Sequence, residues 1–223
     1  GNRAKGGGDI MQKHRGLPQM YGGVFLAYTG METALMFTHG VDLPGFASYP
    51  LLETVTGRAQ PWCYYQDLIA VGRSAWCGVI LESPNWVANR DRGAAIGYAP
   101  AALKERNRQS VAMLANLREI HGDLPTVISA NVGPRADAYA PSEQMTADQA
   151  EAYHAEQIAV LAETAVDLIS GYTLAYPGEA IGIVRAARRF DLPVCVAFTV
   201  ETDGCLPTGM TLKQAIETVG AAT

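Results

Sequence analysis

The amino-acid sequence predicts an α/β protein built on a parallel sheet, and three observations lead to this fold class. Five short apolar runs alternate with longer segments of helical period along the chain. Each run is hydrophobic almost throughout, as is typical of strands that helices cover on both faces. Strands and helices in this order form right-handed crossovers, which occur in a doubly wound open sheet or in a (β/α)8 barrel.

The third observation is the turn after the first apolar run, and it favours the barrel. A doubly wound dinucleotide-binding protein carries Gly-x-Gly-x-x-Gly at this place. Here the turn is Thr29-Gly30-Met31-Glu32-Thr33. We therefore predict a (β/α)8 TIM-type barrel that is truncated after about five strand-helix units.

The individual elements follow from apolar runs, turn residues and capping signals. We predict strands at residues 23–28, 78–82, 126–130, 166–170 and 194–198. We predict helices at residues 64–74, 101–120, 146–165 and 177–190, and a further helix that begins near residue 211. Thr146 and Gln149 have the spacing of a capping box at the start of the third helix. Each connection between strands is long enough for a crossover helix.

Length and composition indicate one globular domain with a substantial core. The chain has 223 residues, of which 48% are hydrophobic and 17% are charged, and this excludes disordered and fibrous proteins. The start of the chain contains the run Gly6-Gly7-Gly8, and we predict a flexible segment over residues 1–20. Residues 21–223 are predicted to form one incomplete barrel domain.

Charge and N-terminal composition exclude several classes of partner. The net charge is −5, from 17 basic and 22 acidic residues, without a Lys/Arg cluster, so neither nucleic acid nor an anionic membrane is an expected partner. The first 16 residues contain no apolar stretch typical of a signal peptide or membrane anchor, and we expect a cytoplasmic protein.

The cysteines do not indicate a disulfide framework or a local zinc site. Cys63, Cys77, Cys195 and Cys205 are far apart in the sequence and form no Cys-x-x-Cys pair. Cys195 in the fifth strand and Cys205 in the loop after it are expected to be packing or incidental thiols.

The segments that follow the predicted strands are where a barrel enzyme places its active site. In chain order these segments are 28–35 (YTGMETAL), 82–89 (ESPNWVAN), 129–135 (SANVGPR), 172–173 (YT) and 198–204 (FTVETDG). The series resembles the homocysteine S-methyltransferase family, in which the corresponding segments read D-G-G-[ML]-x-T-x-L, E-T-N-T-[YF], G-x-x-G-P, E-T, and an F-T-like turn followed by D-G. The resemblance extends from about residue 22 to about residue 212 and is strongest at residues 30–33, 132–134 and 198–204.

Three positions depart from the family pattern. The family's strand-one Asp falls on Tyr28, its strand-two Asn on Pro84 and its strand-four Glu on Tyr172. Several groups that bind the amino acid in the family are therefore changed. The departures indicate a divergent branch, in which another thiol could replace homocysteine as the methyl acceptor.

The resemblance implies methyl transfer to a thiol, with zinc holding the acceptor sulfur. A thiol with a pKa of about 8.5 is only a few per cent ionised at pH 7, so deprotonation by a metal is worth roughly 2 kcal/mol. The family takes its zinc from one cysteine after strand six and an adjacent pair after strand eight, so the ligands are expected beyond Thr223 and no metal ligand is expected in this chain. The implied partners are a small-molecule thiol acceptor and a methyl donor such as S-methylmethionine, betaine or a methylated folate. Open strand edges could also lead to homo-oligomers.

The candidate substrate-binding residues are those just past the strand ends, and we expect them to converge on one cleft. Glu32 and Thr33 could bind a substrate amino group or cap the following helix. Asn131 fits a tight loop with Gly133 and Pro134 better than a ligand contact. The full set is Gly30, Glu32, Thr33, Asn131, Tyr172, Thr173 and Thr199.

Two other polar segments are predicted to have no role in the site. His154 lies on an otherwise polar helix face, and we expect it to be solvated. Residues 90–92 (Arg-Asp-Arg) are predicted to form an exposed loop.

Other functional classes remain open or are excluded by the same strand ends. A Schiff-base aldolase needs a lysine there, and none of the lysines lies at a strand end. A hydrolase or enolase-like barrel could use Glu82 and Glu201 as acid and base or as metal ligands. An inactive barrel fragment is the third hypothesis, and metal content and methyl-transfer activity distinguish the three.

Overall fold

A computed structural model describes residues 16–27, 30–140 and 143–223. The predicted flexible segment lies outside the described residues up to residue 15, and Pro18–Tyr21 forms a 3-10 turn. Tyr28 and Thr29, at the end of the predicted first strand, also lie outside the described residues.

Five parallel strands form one curled sheet in sequential order, which confirms the predicted half of a TIM-type barrel. The strands are β1 (Phe25–Ala27), β2 (Gly78–Glu82), β3 (Thr126–Val132), β4 (Leu168–Leu174) and β5 (Val194–Phe198). The predictions for β2 and β5 have the observed bounds.

The prediction for β4 was wrong in its bounds, since the strand begins two residues later and ends four residues later than predicted. Gly171 and the polar residues after it suggested a turn, yet the backbone continues to pair with both neighbouring strands. Gly171 lies in register with Val132 on one side, and Leu174 pairs with Phe198 on the other. The register shifts between Gly171 and Leu174 as in a β-bulge, so the strand accommodates these residues without ending. Tyr172 and Thr173 therefore lie within β4 and not after it.

Seven α-helical segments connect and cover the strands in the described part of the chain. They are α1 (Met31–Thr33, continued by the π-helical turn Ala34–Thr38), α2 (Val55–Ser74), α3 (Arg90–Ala95), α4 (Pro100–Ile120), α5 (Ala147–Ala162), α6 (Pro177–Arg188) and α7 (Leu212–Ala222). The capping box of α5 is formed as predicted, with Thr146 and Gln149 each accepting a backbone N–H of the other.

The predicted start of one helix and one predicted loop were wrong. Helix α2 begins nine residues before the predicted start, because Thr54 caps it by accepting the N–H of Gly57 at 2.9 Å and because Pro61 is tolerated inside it. Residues 90–92, predicted as an exposed loop, begin α3. The Asn89 side chain caps this helix by accepting the N–H of Arg92 at 3.1 Å.

The helices pack on one face of the sheet, and alternation along the strands turns other residues to the opposite face. Val79, Leu81, Ile128 and Ile169 are buried in the main hydrophobic cluster together with residues of α2, α4, α5 and α6. The alternating positions form a polar inner face. Its polar residues are Glu82, Ser129, Asn131, Ser170 and Tyr172, and the apolar Ile80 lies on the same face.

His154 was predicted to be solvated, and the structure contradicts this. It is fully buried between α5 and α6, where its Nε2 lies 2.9 Å from Glu179 Oε1. The same carboxylate oxygen accepts the backbone N–H of Arg135 at 2.8 Å. The close approach of the two helices, permitted by Gly182, encloses the pair.

Within the described residues, no helix has both the length and the apolar character needed to cross a membrane. All four cysteines are free thiols, with Cys63 and Cys195 exposed and the other two partly buried.

Candidate functional site

A cavity of about 560 Å³ lies at the carboxyl ends of the strands. Six of the seven candidate residues line it, although they come from three separate parts of the chain. These six are Gly30, Glu32, Thr33, Asn131, Tyr172 and Thr173. The remaining lining residues, which sequence reasoning did not select, are Phe46, Trp86, Arg92, Asp137, Ala138 and Tyr139.

Thr199 does not line this cavity. It follows β5, and its backbone N–H donates to the carbonyl oxygen of Leu174 at 2.9 Å. Its Oγ1 is buried and has no hydrogen-bond partner within the described residues. The structure therefore places Thr199 beside the end of β4, apart from the other six.

The segment after β1 presents Gly30, Glu32 and Thr33 to the cavity. Gly30 has a φ of 65°, a left-handed conformation that glycine adopts at little cost and that turns the chain into α1. Glu32 is buried, and its Oε1 accepts the hydroxyl of Ser48 at 2.6 Å. A fixed carboxylate at the cavity wall can accept hydrogen bonds from a cationic group of a ligand.

The strand ends below the cavity carry a buried carboxylate, that of Glu82. Its Oε1 accepts the phenol of Tyr172 at 2.7 Å and lies 3.4 Å from the hydroxyl of Ser170, and its Oε2 has no partner within the described residues. Burial raises the pKa of the Glu82 carboxyl, although hydrogen bonds from Ser129, Tyr172 and Ser170 oppose the shift. Burial, together with the Glu82 charge, also raises the pKa values of the Tyr172 phenol and of the Cys195 thiol.

Tyr172 occupies the position at which the family pattern has the strand-four Glu. Its phenol donates a hydrogen bond to the carboxylate of Glu82 on β2. Tyr172 reaches the cavity, whereas Glu82 lies behind it and is 1% exposed. The sequence showed both residues at strand ends but did not show that they are hydrogen-bonded to each other.

Trp86 is held in the cavity wall by β4 and by the loop after β3. Its indole Nε1–H donates to Thr173 Oγ1 at 2.9 Å, and its carbonyl oxygen accepts the N–H of Gly133 at 2.7 Å. A Cβ at Gly133 would lie 2.4 Å from that carbonyl oxygen, so the Gly-Pro turn is required for the close approach of the loops. Thr173 has a φ of 57°, which is strained for a β-branched residue, and such strain is concentrated at functional sites.

Arg92 is the cationic residue of the cavity. Its Nε donates to the carbonyl oxygen of Arg135 at 3.4 Å, one Nη donates to that of Ala136, and its guanidinium lies 5.6 Å from the ring of Trp86. Burial lowers the pKa of this guanidinium, whereas the charge of Asp137 opposes the change. Sequence reasoning missed Arg92 because the two neighbouring charges suggested a solvated loop.

The hypothesis that Glu82 and Glu201 act as a catalytic pair finds no support in their positions. Glu82 is buried, whereas Glu201 is exposed in the loop after β5, where its N–H donates to Cys205. No hydrogen bond joins the two side chains within the described structure.

The described residues do not fit a zinc ion. They contain no group of three His, Cys, Asp or Glu side chains that could hold a metal. Zinc in a catalytic site needs three protein ligands and an open position.

A curled parallel sheet with a polar cavity at the carboxyl ends of its strands defines a TIM-type barrel enzyme. The family model for homocysteine S-methyltransferase matches residues 66–222. This match covers more than half of the chain, and the chain belongs to the homocysteine S-methyltransferase family. No curated protein matches the chain in sequence.

Solved structures of the homocysteine methyltransferase MmuM from Escherichia coli share this fold. The metallated form aligns with a TM-score of 0.72 at 17% identity, covering 89% of this chain and 70% of that chain. The oxidized form has a TM-score of 0.66 at 16% identity, with the same coverage of 89% and 70%. The apo form has a TM-score of 0.59 at 17% identity, covering 93% and 71%. At such identities the likeness shows the fold.

Proposed function

We propose that this chain carries the acceptor-binding part of a zinc-dependent methyltransferase that moves a methyl group to a thiol such as homocysteine to give methionine. One observation carries the proposal. Candidate residues from the ends of β1, β3 and β4 line a single cavity of about 560 Å³, which is large enough for an amino acid and the reacting part of a donor.

The reaction that this proposal assigns to the cavity is a displacement at carbon. The acceptor sulfur forms a bond to the methyl carbon, the bond between that carbon and the donor breaks, and the thiol proton leaves. Binding of both molecules in one cavity supplies the proximity and orientation that such a displacement needs. Glu32 is proposed to accept hydrogen bonds from the acceptor's ammonium group, and Asn131, Tyr172 and Thr173 to position the acceptor.

We propose that the ligands of the zinc ion lie outside the described residues. The metallated form of MmuM supports metal use in the family, whereas the described residues of this chain offer no ligand set. We also propose a cytoplasmic location and small-molecule partners. The four free cysteines support a reducing compartment.

The proposal is tested by titrating homocysteine into the chain in a calorimeter. Replacement of the buried carboxylate in Glu32→Gln should weaken homocysteine binding by about 10- to 100-fold, because a hydrogen bond between charged groups is lost. Glu119→Gln, an exposed carboxylate on α4, is the matched control and should retain the affinity. Equal affinities in the wild type and Glu32→Gln would contradict the role of Glu32, and absence of homocysteine binding would contradict the proposed function.

A further inference from the structure

Arg92 carries a positive charge that forms no ion pair with a carboxylate of the described residues, although the charge of Asp137 acts on it. Among the described residues that line the cavity, it is the only cation. Arg90, two residues earlier on α3, forms ion pairs with Asp91 and Glu156. Arg92 instead bonds to two backbone carbonyl oxygens, and no carboxylate of the described residues lies within ion-pair distance of it.

These contacts orient the guanidinium but leave donors available. A guanidinium has five N–H donors, and the two carbonyl oxygens account for the Nε–H and for one Nη–H. The ring of Trp86 supports the planar group. Asp137 also lines the cavity, but its Oδ1 is occupied by the N–H groups of Tyr139 and Ala140 in its own turn. The free donors of Arg92 therefore suit an external acceptor.

Groups of opposite polarity share the cavity with Arg92. Glu32 presents a carboxylate to the cavity. Asn131 is only 4% exposed, and its Oδ1 is buried without a hydrogen-bond partner in the described structure. One cation therefore shares the cavity with two carboxylates, those of Glu32 and Asp137. A phosphate dianion would be repelled by this arrangement, whereas a zwitterion with one carboxylate and one ammonium group matches it.

We infer that Arg92 binds the α-carboxylate of an amino-acid ligand in this cavity, either of the thiol acceptor or of an amino-acid methyl donor. The planar fork of a guanidinium can bind a carboxylate through two parallel hydrogen bonds. The inference rests on the proposed function, which makes an amino-acid thiol the acceptor. It makes Arg92 a specificity-determining residue that selects ligands carrying a carboxylate.

The test compares ligands that differ by one group. Homocysteine is titrated beside 3-aminopropane-1-thiol, which lacks the carboxylate, and beside 2-aminobutyrate, which lacks the thiol. Arg92→Gln should weaken the binding of homocysteine and of 2-aminobutyrate by about 10- to 100-fold and leave the affinity for 3-aminopropane-1-thiol unchanged. Arg92→Lys keeps the charge but loses the planar fork, and its affinities should lie between those of the wild type and of Arg92→Gln. Arg90→Gln on the same helix is the matched control and should retain all three affinities.

S-methylmethionine identifies which molecule supplies the carboxylate. A loss of affinity for homocysteine alone in Arg92→Gln assigns the contact to the acceptor, and a loss for S-methylmethionine alone assigns it to the donor. Unchanged affinities for both, or an equal loss for 3-aminopropane-1-thiol, would overturn the inference. If Arg92→Gln does not fold, the wild type and Arg92→Lys are compared instead. Equal affinities of the wild type for homocysteine and 3-aminopropane-1-thiol would overturn the inference. A preference of the wild type for homocysteine that Arg92→Lys reduces would support it.

The outcomes also separate this inference from the proposed function. Binding of homocysteine and of S-methylmethionine that is in both cases indifferent to Arg92 overturns the inference alone. If 2-aminobutyrate binds as tightly as homocysteine and depends on Arg92, the inference holds and a thiol-selective cavity is contradicted. A wild type that binds none of the ligands overturns both.

Discussion

Glu82 is a buried carboxylate without a counter-ion in the described structure, and this has a consequence for stability. Burial raises its pKa in the folded protein above the value in the unfolded chain. Between these two values the folded state binds more protons, so the free energy of unfolding decreases as pH rises. The contribution is most favourable below the unfolded pKa, and it is lost as pH rises through the folded pKa.

Glu82→Gln should therefore remove part of the pH dependence of stability. Relative to the wild type, the variant should gain stability as pH rises from the unfolded pKa of about 4.3 to the raised folded pKa, by at most about 1.4 kcal/mol for each pH unit inside this window. Urea denaturation at several pH values measures this difference. Glu119→Gln, at an exposed position, should show no such trend. A stability difference between Glu82→Gln and wild type that is the same at every pH would contradict the assignment.

The residues of the site were only partly predictable, because a sequence shows position along the chain but not partners. Gly30, Glu32 and Asn131 could be selected since residues at strand ends gather at one face of a barrel. The buried state of His154 depends on a carboxylate 25 residues later in the chain, which no local pattern indicates. Arg92 was missed for a similar reason, since its contacts are backbone carbonyls of a distant loop.

At the scale of elements, α5 and α6 pack extensively against each other. A Cβ at Gly182 would lie 2.4 Å from the Cβ of Ala150 and 2.5 Å from the backbone nitrogen of Glu151. Gly182 is therefore required for the distance between the two helices. This packing also encloses the pair formed by His154 and Glu179.

Gly182→Ala should destabilise the protein by about 1–3 kcal/mol, because the helices must separate to accommodate the methyl group. The better helix propensity of alanine, worth about 1 kcal/mol, offsets only part of this cost. Gly220→Ala on α7 is the matched control, since nothing lies within 4 Å of its Cβ position, and it should stabilise. Thermal denaturation measures both variants. A stabilised Gly182→Ala protein would contradict the close packing.

Element boundaries were less predictable than element identities. The strands β2 and β5 and the capping box of α5 follow local rules, namely apolar runs and a Thr–Gln spacing, and the structure has them as predicted. The bounds of β4 depend on pairing with both neighbours, and the start of α2 depends on a Thr54 cap before a segment that contains Gly57 and Pro61. Pairing with neighbouring strands overrides the local breaker signals in β4. In α2 a local N-cap outweighs the effect of Gly57 and Pro61.

At the scale of the whole molecule, the chain of 223 residues should not retain stoichiometric zinc. Its described residues contain no triad of ligating side chains, and its free cysteines are separated. Metal analysis after purification in zinc and exhaustive dialysis measures this. About one zinc per chain would contradict this expectation and show that other residues form a site. A methyl-transfer assay with homocysteine and S-methylmethionine on the same sample should show no turnover.

The described sheet ends at β1 and β5, each of which pairs with a strand on one side only. The unpaired N–H and C=O groups of such edges are templates for association with another chain. Cys195 of β5 lies in register with Ser170, so its exposed side chain lies on the inner face next to this edge. We therefore expect the protein to self-associate as its concentration rises.

Sedimentation equilibrium under reducing conditions measures this association. Cys195→Lys should weaken it by about 10-fold or more, because an inward-pointing charge on an edge strand opposes edge-to-edge pairing. Cys63→Lys is the matched control, since Cys63 is also an exposed free thiol but lies on the helix α2 and not on an edge strand, and it should associate like the wild type. A wild type that remains monomeric at all concentrations, or an equal effect of both substitutions, would show that the strand edges are protected by other means. Weaker association in Cys195→Lys alone would locate the contact at β5, because the two variants add the same charge and differ only in where it lies.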